Sequence, residues 1–156
     1  MELDALDRRM LNLLQEDCSL TNLELAARLH ASAPTCYRRL RRLVESGLIE
    51  RRVAIVAPDL LGRALGHGLT ALVEVSLDLQ AAEALDAFEQ LVAGEAAVQQ
   101  CYRVSSGPDF VLVVHVPDMP AYNAFAHRVL SAAANVRNVR SLFSVHRSKF
   151  EPRIVV

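Results

Sequence analysis

The chain has 156 residues, 52% of them hydrophobic, with a formal net charge of −1. That apolar content supplies one or two real cores and excludes a disordered chain, while the longest strongly apolar run, Phe110 to Val114, is too short to cross a bilayer. The near-zero charge conceals an uneven distribution: residues 31–57 hold six arginines against two acids, leaving minus five for the rest, which implies one anion-binding patch. Arginine supplies 16 of the 17 basic residues, a bias of composition more than of function. The cysteines at 18, 36 and 101 form no CxxC pair and read as small buried residues of a reducing compartment. The opening stretch MELDALDRR is acidic and carries no hydrophobic segment, so the expected location is cytoplasmic, with no membrane partner.

Leu3, Leu6, Met10, Leu13 and Leu14 recur at helical spacing after Asp4, whose carboxylate can cap the first amides, and predict a helix to about Glu16. In LTNLEL, Thr21 and Glu24 form a capping box with Leu20 and Leu25 as its hydrophobic staple, predicting a short helix over Asn22 to Leu29. Ser32 then caps a third helix, with Pro34 in its first turn and Gly47 just past its end. On this helix Ala33, Cys36, Tyr37, Leu40, Leu43 and Val44 share one arc, and Arg38, Arg39, Arg41 and Arg42 the opposite one. Thr35 joins the arginine arc near the N-terminus, where a helix in the major groove meets base edges. A short helix, a tight turn and a helix with an arginine face make a helix-turn-helix, which favours DNA recognition over a merely solvated basic face.

Residues 48–58 (LIERRVAIVAP) are β-rich and read as a wing whose Arg51 and Arg52 can touch phosphate, or else as a plain connecting strand. Pro58 and three glycines place a hinge at 58–68, between a DNA-binding domain at 1–57 and a second domain at 69–156. In that domain Leu69 to Leu77 alternates as a strand, and Ala81 to Ala93 forms a helix with Leu85, Phe88, Leu91 and Val92 inward. A strand with Val98, Tyr102 and Val104 on one side comes next, then the loop Ser105-Ser106-Gly107-Pro108-Asp109 and a strand over Phe110 to Val116 suited to cover on both faces. Asp118 caps a helix with Pro120 in its first turn, and Val139 to Arg147 closes the pattern as a strand. The order βαββαβ predicts a ferredoxin-like sheet with two helices on one face, an α+β fold overall. Its open face, with Leu72, Val111 and Val113 or their alternates, calls for a partner, and a homodimer is the economical one.

The segments TNLELAARL, RLRRLVESGLIERRVAIVAP and YRVSSGPDFVLVVHVPDMPAYNAF together resemble the Lrp/AsnC (leucine-responsive and asparagine-responsive, feast/famine) transcriptional regulators over nearly the whole chain. The resemblance implies a winged helix-turn-helix that binds double-stranded DNA through Ser32, Pro34, Thr35, Arg38, Arg39, Arg41, Arg42, Arg51 and Arg52. It also implies an amino-acid-sensing domain, dimers assembled into octamers, and an amino-acid effector held between dimers, with no further cofactor. The family's effector loop reads small residue, Gly, two variable residues, Asp, aromatic. Ser105, Ser106, Gly107, Pro108, Asp109 and Phe110 occupy those places, so Ser106 stands where Gly is usual. Ser141 and Leu142 lie near where the family lines the pocket from a neighbouring chain.

No GxSxG, HExxH or phosphate loop is present, and His115, His127 and His146 occur singly, so an enzyme is not expected. Two other readings share the fold. A metal- or redox-sensing regulator would need Cys101 beside His115 across paired strands; an architectural DNA-binding protein would have no effector.

Overall fold

The computed structural model describes residues 2–65, 68–133 and 135–156, which gather into two compact units: 1–55 with 149–156, and 56–148.

The first unit is built on three helices, α1 (Ala5–Glu16), α2 (Asn22–Leu29) and α3 (Ala33–Glu45). Each begins where a side chain can satisfy its free amides. Asp4 accepts from the amides of Leu6 and Asp7, while Asp7 in turn accepts from the Asp4 amide, closing an unforeseen capping box. Thr21 and Glu24 form the expected box on α2, and Ser32 accepts from Thr35 on α3. The turn from α2 to α3 is made by His30, left-handed at φ 52°, with the Ala31 amide returning to the Ala26 carbonyl. Asn22 Nδ2 donates to the Ala33 carbonyl at 2.8 Å, tying the starts of the two helices. Met10, Leu14, Leu25, Leu29, Cys36 and Leu43 fill the core between them. The apolar arc of α3 is wider than this core: Tyr37 and Val44 lie exposed at its edge. Residues 48–58, expected as a wing or a connecting strand, form no strand ladder in the single chain, and Arg51 and Arg52 are exposed there.

In the second unit the expected hinge contains a helix, α4 (Pro58–Leu65); the hinge glycine Gly66 lies outside the described residues. Pro58 starts this helix with a preset φ, and Gly62 does not suffice to break it. Four strands, β1 (Leu69–Leu77), β2 (Val98–Arg103), β3 (Phe110–Val116) and β4 (Val136–Phe143), form one antiparallel sheet in the order β2-β3-β1-β4. Helix α5 (Ala82–Ala93) and helix α6 (Met119–Phe125), which continues as a π-helical turn to Ser131, supply Phe88, Val92, Tyr122, Phe125, Val129 and Leu130 to one side of it. Those side chains pack on Ala71, Val73, Val75, Leu77, Phe110, Leu112 and Val114. Each fully buried valine or leucine there stabilises the unit by about 1.5–3 kcal/mol. Leu91, expected inward, is exposed.

Three differences from the periodicity have clear causes. A register irregularity between Val98 and Gln100 shifts the alternation of β2, so Val98 and Cys101 pack against the helix side whereas Tyr102 stands exposed opposite Val111. Strand β4 begins and ends earlier than Val139 to Arg147, because its partner sets its length: Val136 pairs with Leu77 and Phe143 with Ala71, near the start of β1. β3 is covered on one face only, with Val111, Val113 and His115 half-buried on the other.

Candidate nucleic-acid interface and ligand loop

The arginines of α3 divide into two kinds. Arg39 lies about 100° around the helix from Arg38 and turns back towards the start of α1. There its Nη1 donates to Asp4 Oδ2 at 2.6 Å and to Asp7 Oδ1 at 2.8 Å, while Arg42 Nη2 meets Asp7 Oδ2 at 2.5 Å. Asp7 is only 1% exposed, so this carboxylate is a buried anion satisfied by two guanidinium groups and the Asp4 amide. Asp4 raises the Arg39 pKa above its ordinary value most, with Asp7 next. The Asp4 carboxyl is held below the usual carboxylate range, first by the Asp7 amide and then by Arg39. Two of the six arginines assigned to DNA, Arg39 and Arg42, are thus paired with carboxylates at the start of α1.

Arg38 and Arg41 remain on the outer face, both exposed. Arg41 is paired with Glu45 one helical turn on, at 2.6 Å. Arg38 has no ion pair among the described residues. Thr35 shares a 2.8 Å hydrogen bond with the Ser32 hydroxyl, and Pro34 is exposed beside it, so the N-terminal turn of α3 presents a small, ordered polar edge. The clue in the sequence to the Asp4–Asp7 clamp was their i, i+3 spacing at the head of α1, which presents two acids to one neighbour.

The loop between β2 and β3 is tied to the end of β1. The Asp109 amide donates to the Val75 carbonyl at 2.9 Å, and Asp109 Oδ2 accepts from the Leu77 amide at 2.7 Å. The Val104 amide donates to the Asp109 carbonyl and closes the loop. Within it Ser106 and Gly107 are both left-handed, at φ 69° and 105°. A serine held there is strained, since its Cβ crowds the following carbonyl. Replacing Ser106 by Gly is expected to stabilise the second unit by up to about 1 kcal/mol, read as slower amide exchange at Leu112 and Val114. Faster exchange would show that the hydroxyl contributes more than the strain costs.

Ser141 and Leu142 do not join this loop within one chain. Ser141 pairs with Val73 and Leu142 with Leu72, whereas the loop is fixed at Val75 and Leu77. Being adjacent on a strand they also face opposite ways: the Ser141 hydroxyl bonds that of Tyr122 on the helix side, and Leu142 is exposed on the open face. Cys101 and His115 are likewise separated, since Cys101 packs against the helix-side core and His115 bonds Thr70 on the other face. Among the described residues no group of three His, Cys, Asp or Glu is placed to hold a metal.

A helix-turn-helix with an outward basic face, followed by a ferredoxin-like unit with a tethered loop, defines a DNA-binding regulator with a sensory domain. Comparison with known proteins gives the same division. Residues 3–50 match the winged helix-turn-helix DNA-binding model, and residues 70–154 the Lrp/AsnC ligand binding domain. The chain is 38% identical to an HTH-type transcriptional regulator of Haemophilus influenzae over 99% of its own length and 89% of that protein's. It is 36% identical to the leucine-responsive regulatory protein of Rhizobium meliloti, over 96% and 93%. Among solved structures, an AsnC family transcriptional regulator from Agrobacterium tumefaciens superposes with a TM-score of 0.85 at 33% identity, covering 97% of this chain and 96% of that one. A transcriptional regulator from Neisseria meningitidis in complex with L-Met gives a TM-score of 0.85 at 29% identity, covering 98% and 96%. The chain belongs to the Lrp/AsnC family of transcriptional regulators.

Proposed function

We propose that this regulator binds DNA through Thr35, Arg38 and Arg41 on the outer face of α3, flanked by Ser32 and Pro34, with Arg51 and Arg52 adding phosphate contacts. Arg39 and Arg42 act one step back, holding α3 at the angle set by Asp4 and Asp7. The observation that carries this assignment is that Arg38 is exposed without an ion pair among the described residues, whereas Arg39 and Arg42 share the buried Asp7.

The sensory unit takes a free amino acid at the loop from Ser105 to Asp109. Small residues and a left-handed pair leave backbone amides open to a carboxylate. Asp109 is already bonded to the Leu77 amide, so it serves the site by fixing the loop's path. Ser141 and Leu142, distant from the loop along the sheet, enter such a pocket only from a neighbouring subunit. The L-Met complex of the Neisseria relative supports this ligand class. Homodimers form through the open sheet face, where Leu72, Tyr102 and Leu142 are exposed, and dimers assemble further into an octamer. No described helix is long and apolar enough to cross a membrane, in keeping with a cytoplasmic regulator.

A thermal-shift screen against the twenty amino acids tests the ligand. At a concentration 100-fold above its Kd, the right one adds about 2.7 kcal/mol to stability. If none of the twenty moves the melting temperature, the architectural reading replaces the sensory one.

A further inference from the structure

The last residues of the chain contact the DNA-binding unit, although the family model counts them, as far as residue 154, with the ligand-binding domain. They lie antiparallel to α1. Asn12 Nδ2 donates to the Val156 carbonyl at 2.8 Å, and the Val156 amide donates to Asn12 Oδ1 at 3.2 Å. One turn on, Gln15 Nε2 donates to the Ile154 carbonyl and the Ile154 amide to Gln15 Oε1, both at 2.8 Å. Arg153 continues the series with an ion pair to Glu16 at 2.6 Å.

This is recognition of backbone. Residues 154 and 156 present their amide and carbonyl groups to the same side because an extended chain repeats every two residues, and two side-chain amides at i and i+3 on a helix meet that repeat. Burial of apolar side chains is not the driving contact, since Ile154 and Val155 are 72% and 78% exposed. The chain leaves the first unit after residue 55 and returns to it at residue 149, directly downstream of β4 and the segment that follows it. Helix α1 therefore holds this tail with Asn12, Gln15 and Glu16, and Asp4 and Asp7 at its start hold Arg39 and Arg42 of α3.

We infer that residues 149–156 are a strap: an Asn12/Gln15 backbone-reading dock on α1 gives the chain that leaves the sensory unit a second, hydrogen-bonded hold on the DNA-binding unit, and its engagement steadies the helix whose Asp4 and Asp7 hold Arg39 and Arg42 of α3. The inference rests on DNA binding through α3, but its docking part is measured independently of DNA.

Lys149 is the only lysine in the chain, so an endoproteinase that cleaves after lysine removes the tail and nothing else. In the full-length protein, cleavage at Lys149 and amide exchange at Ile154 and Val156 are expected to be about tenfold slower than in an Asn12→Ala, Gln15→Ala double variant, the scale of one or two net hydrogen bonds. Equal rates in the two proteins would overturn the dock. With a duplex of about 30 base pairs selected on intact protein from a random pool, clipping should weaken binding roughly three- to tenfold in the wild type and add nothing in the double variant. Clipped and intact protein binding that duplex equally, while the dock measurements hold, would overturn the strap's role. If intact protein selects no duplex, the DNA reading fails and the cleavage and exchange rates still decide the dock.

Discussion

Replacing Asp7 by Ala should cost the DNA-binding unit about 3 kcal/mol, the scale for breaking a buried ion pair from one side. The substitution removes the acceptor shared by Arg39 and Arg42 and breaks the reciprocal cap on α1. Arg39 is left beside Asp4 alone, with its Nε already buried and unpartnered. A two-unit chain has no single unfolding free energy, so the measurement is native-state amide exchange. Met10, Leu25 and Leu43 should exchange faster by about two orders of magnitude, with Leu112 and Val114 unchanged. Asp7→Asn, which keeps the shape and part of the hydrogen bonding, should lose less. Unchanged exchange in the first unit for both variants would refute the clamp. The dependence on pH has a definite sign. Because folding lowers the Asp4 pKa, its contribution is complete above the usual carboxylate range and is lost as pH falls through the lowered value. The Asp4 part of the clamp is accordingly intact at neutral pH and weakens as pH falls through that lowered value.

Arg38→Ala should weaken binding to the selected duplex by about tenfold or more and leave stability unchanged, because Arg38 is exposed and makes no ion pair among the described residues that its loss would orphan. Salt dependence separates the two roles it can take. A phosphate contact lowers the log–log slope by about 1, while a bidentate contact to guanine leaves the slope and relaxes preference at one base pair. Arg39→Ala should behave in the opposite way, with faster amide exchange in the first unit and a weakened affinity that follows from misplacing α3. If Arg38→Ala binds normally and Arg39→Ala loses affinity without loss of stability, the division of labour on α3 is reversed.

Both predictions depend on where α3 packs, which its own sequence leaves open. At 100° per residue, Arg39 belongs with its neighbours on a basic arc; only the position of Asp4 and Asp7 on another helix turns it inward. Tyr37 and Val44 show the same limit from the apolar side, since the arc they share with Cys36 and Leu43 is wider than the core that α1 and α2 provide.

What the sequence determined by itself was local or periodic. The capping residues Asp4, Thr21, Ser32 and Asp118 fixed helix starts because an unpaired amide is satisfied within three residues of its cap. Alternation predicted β1 and a nearly continuous apolar run predicted β3, and with two intervening helices the order βαββαβ left the ferredoxin-like sheet as its natural closure. Tertiary structure alone decided whatever depends on a distant partner. It set the limits of β4 through its register with β1, and the parity of β2 through an irregularity opposite β3. It bonded Asp109 to the Leu77 amide, paired Arg39 and Arg42 with the buried Asp7, and brought residues 153–156 onto α1, whose Asn12, Gln15 and Glu16 lie more than 130 residues away in the chain. Hydrogen bonds and ion pairs across such separations leave no periodicity to read, because their geometry is set by the packing of helices and strands whose relative placement no local pattern encodes.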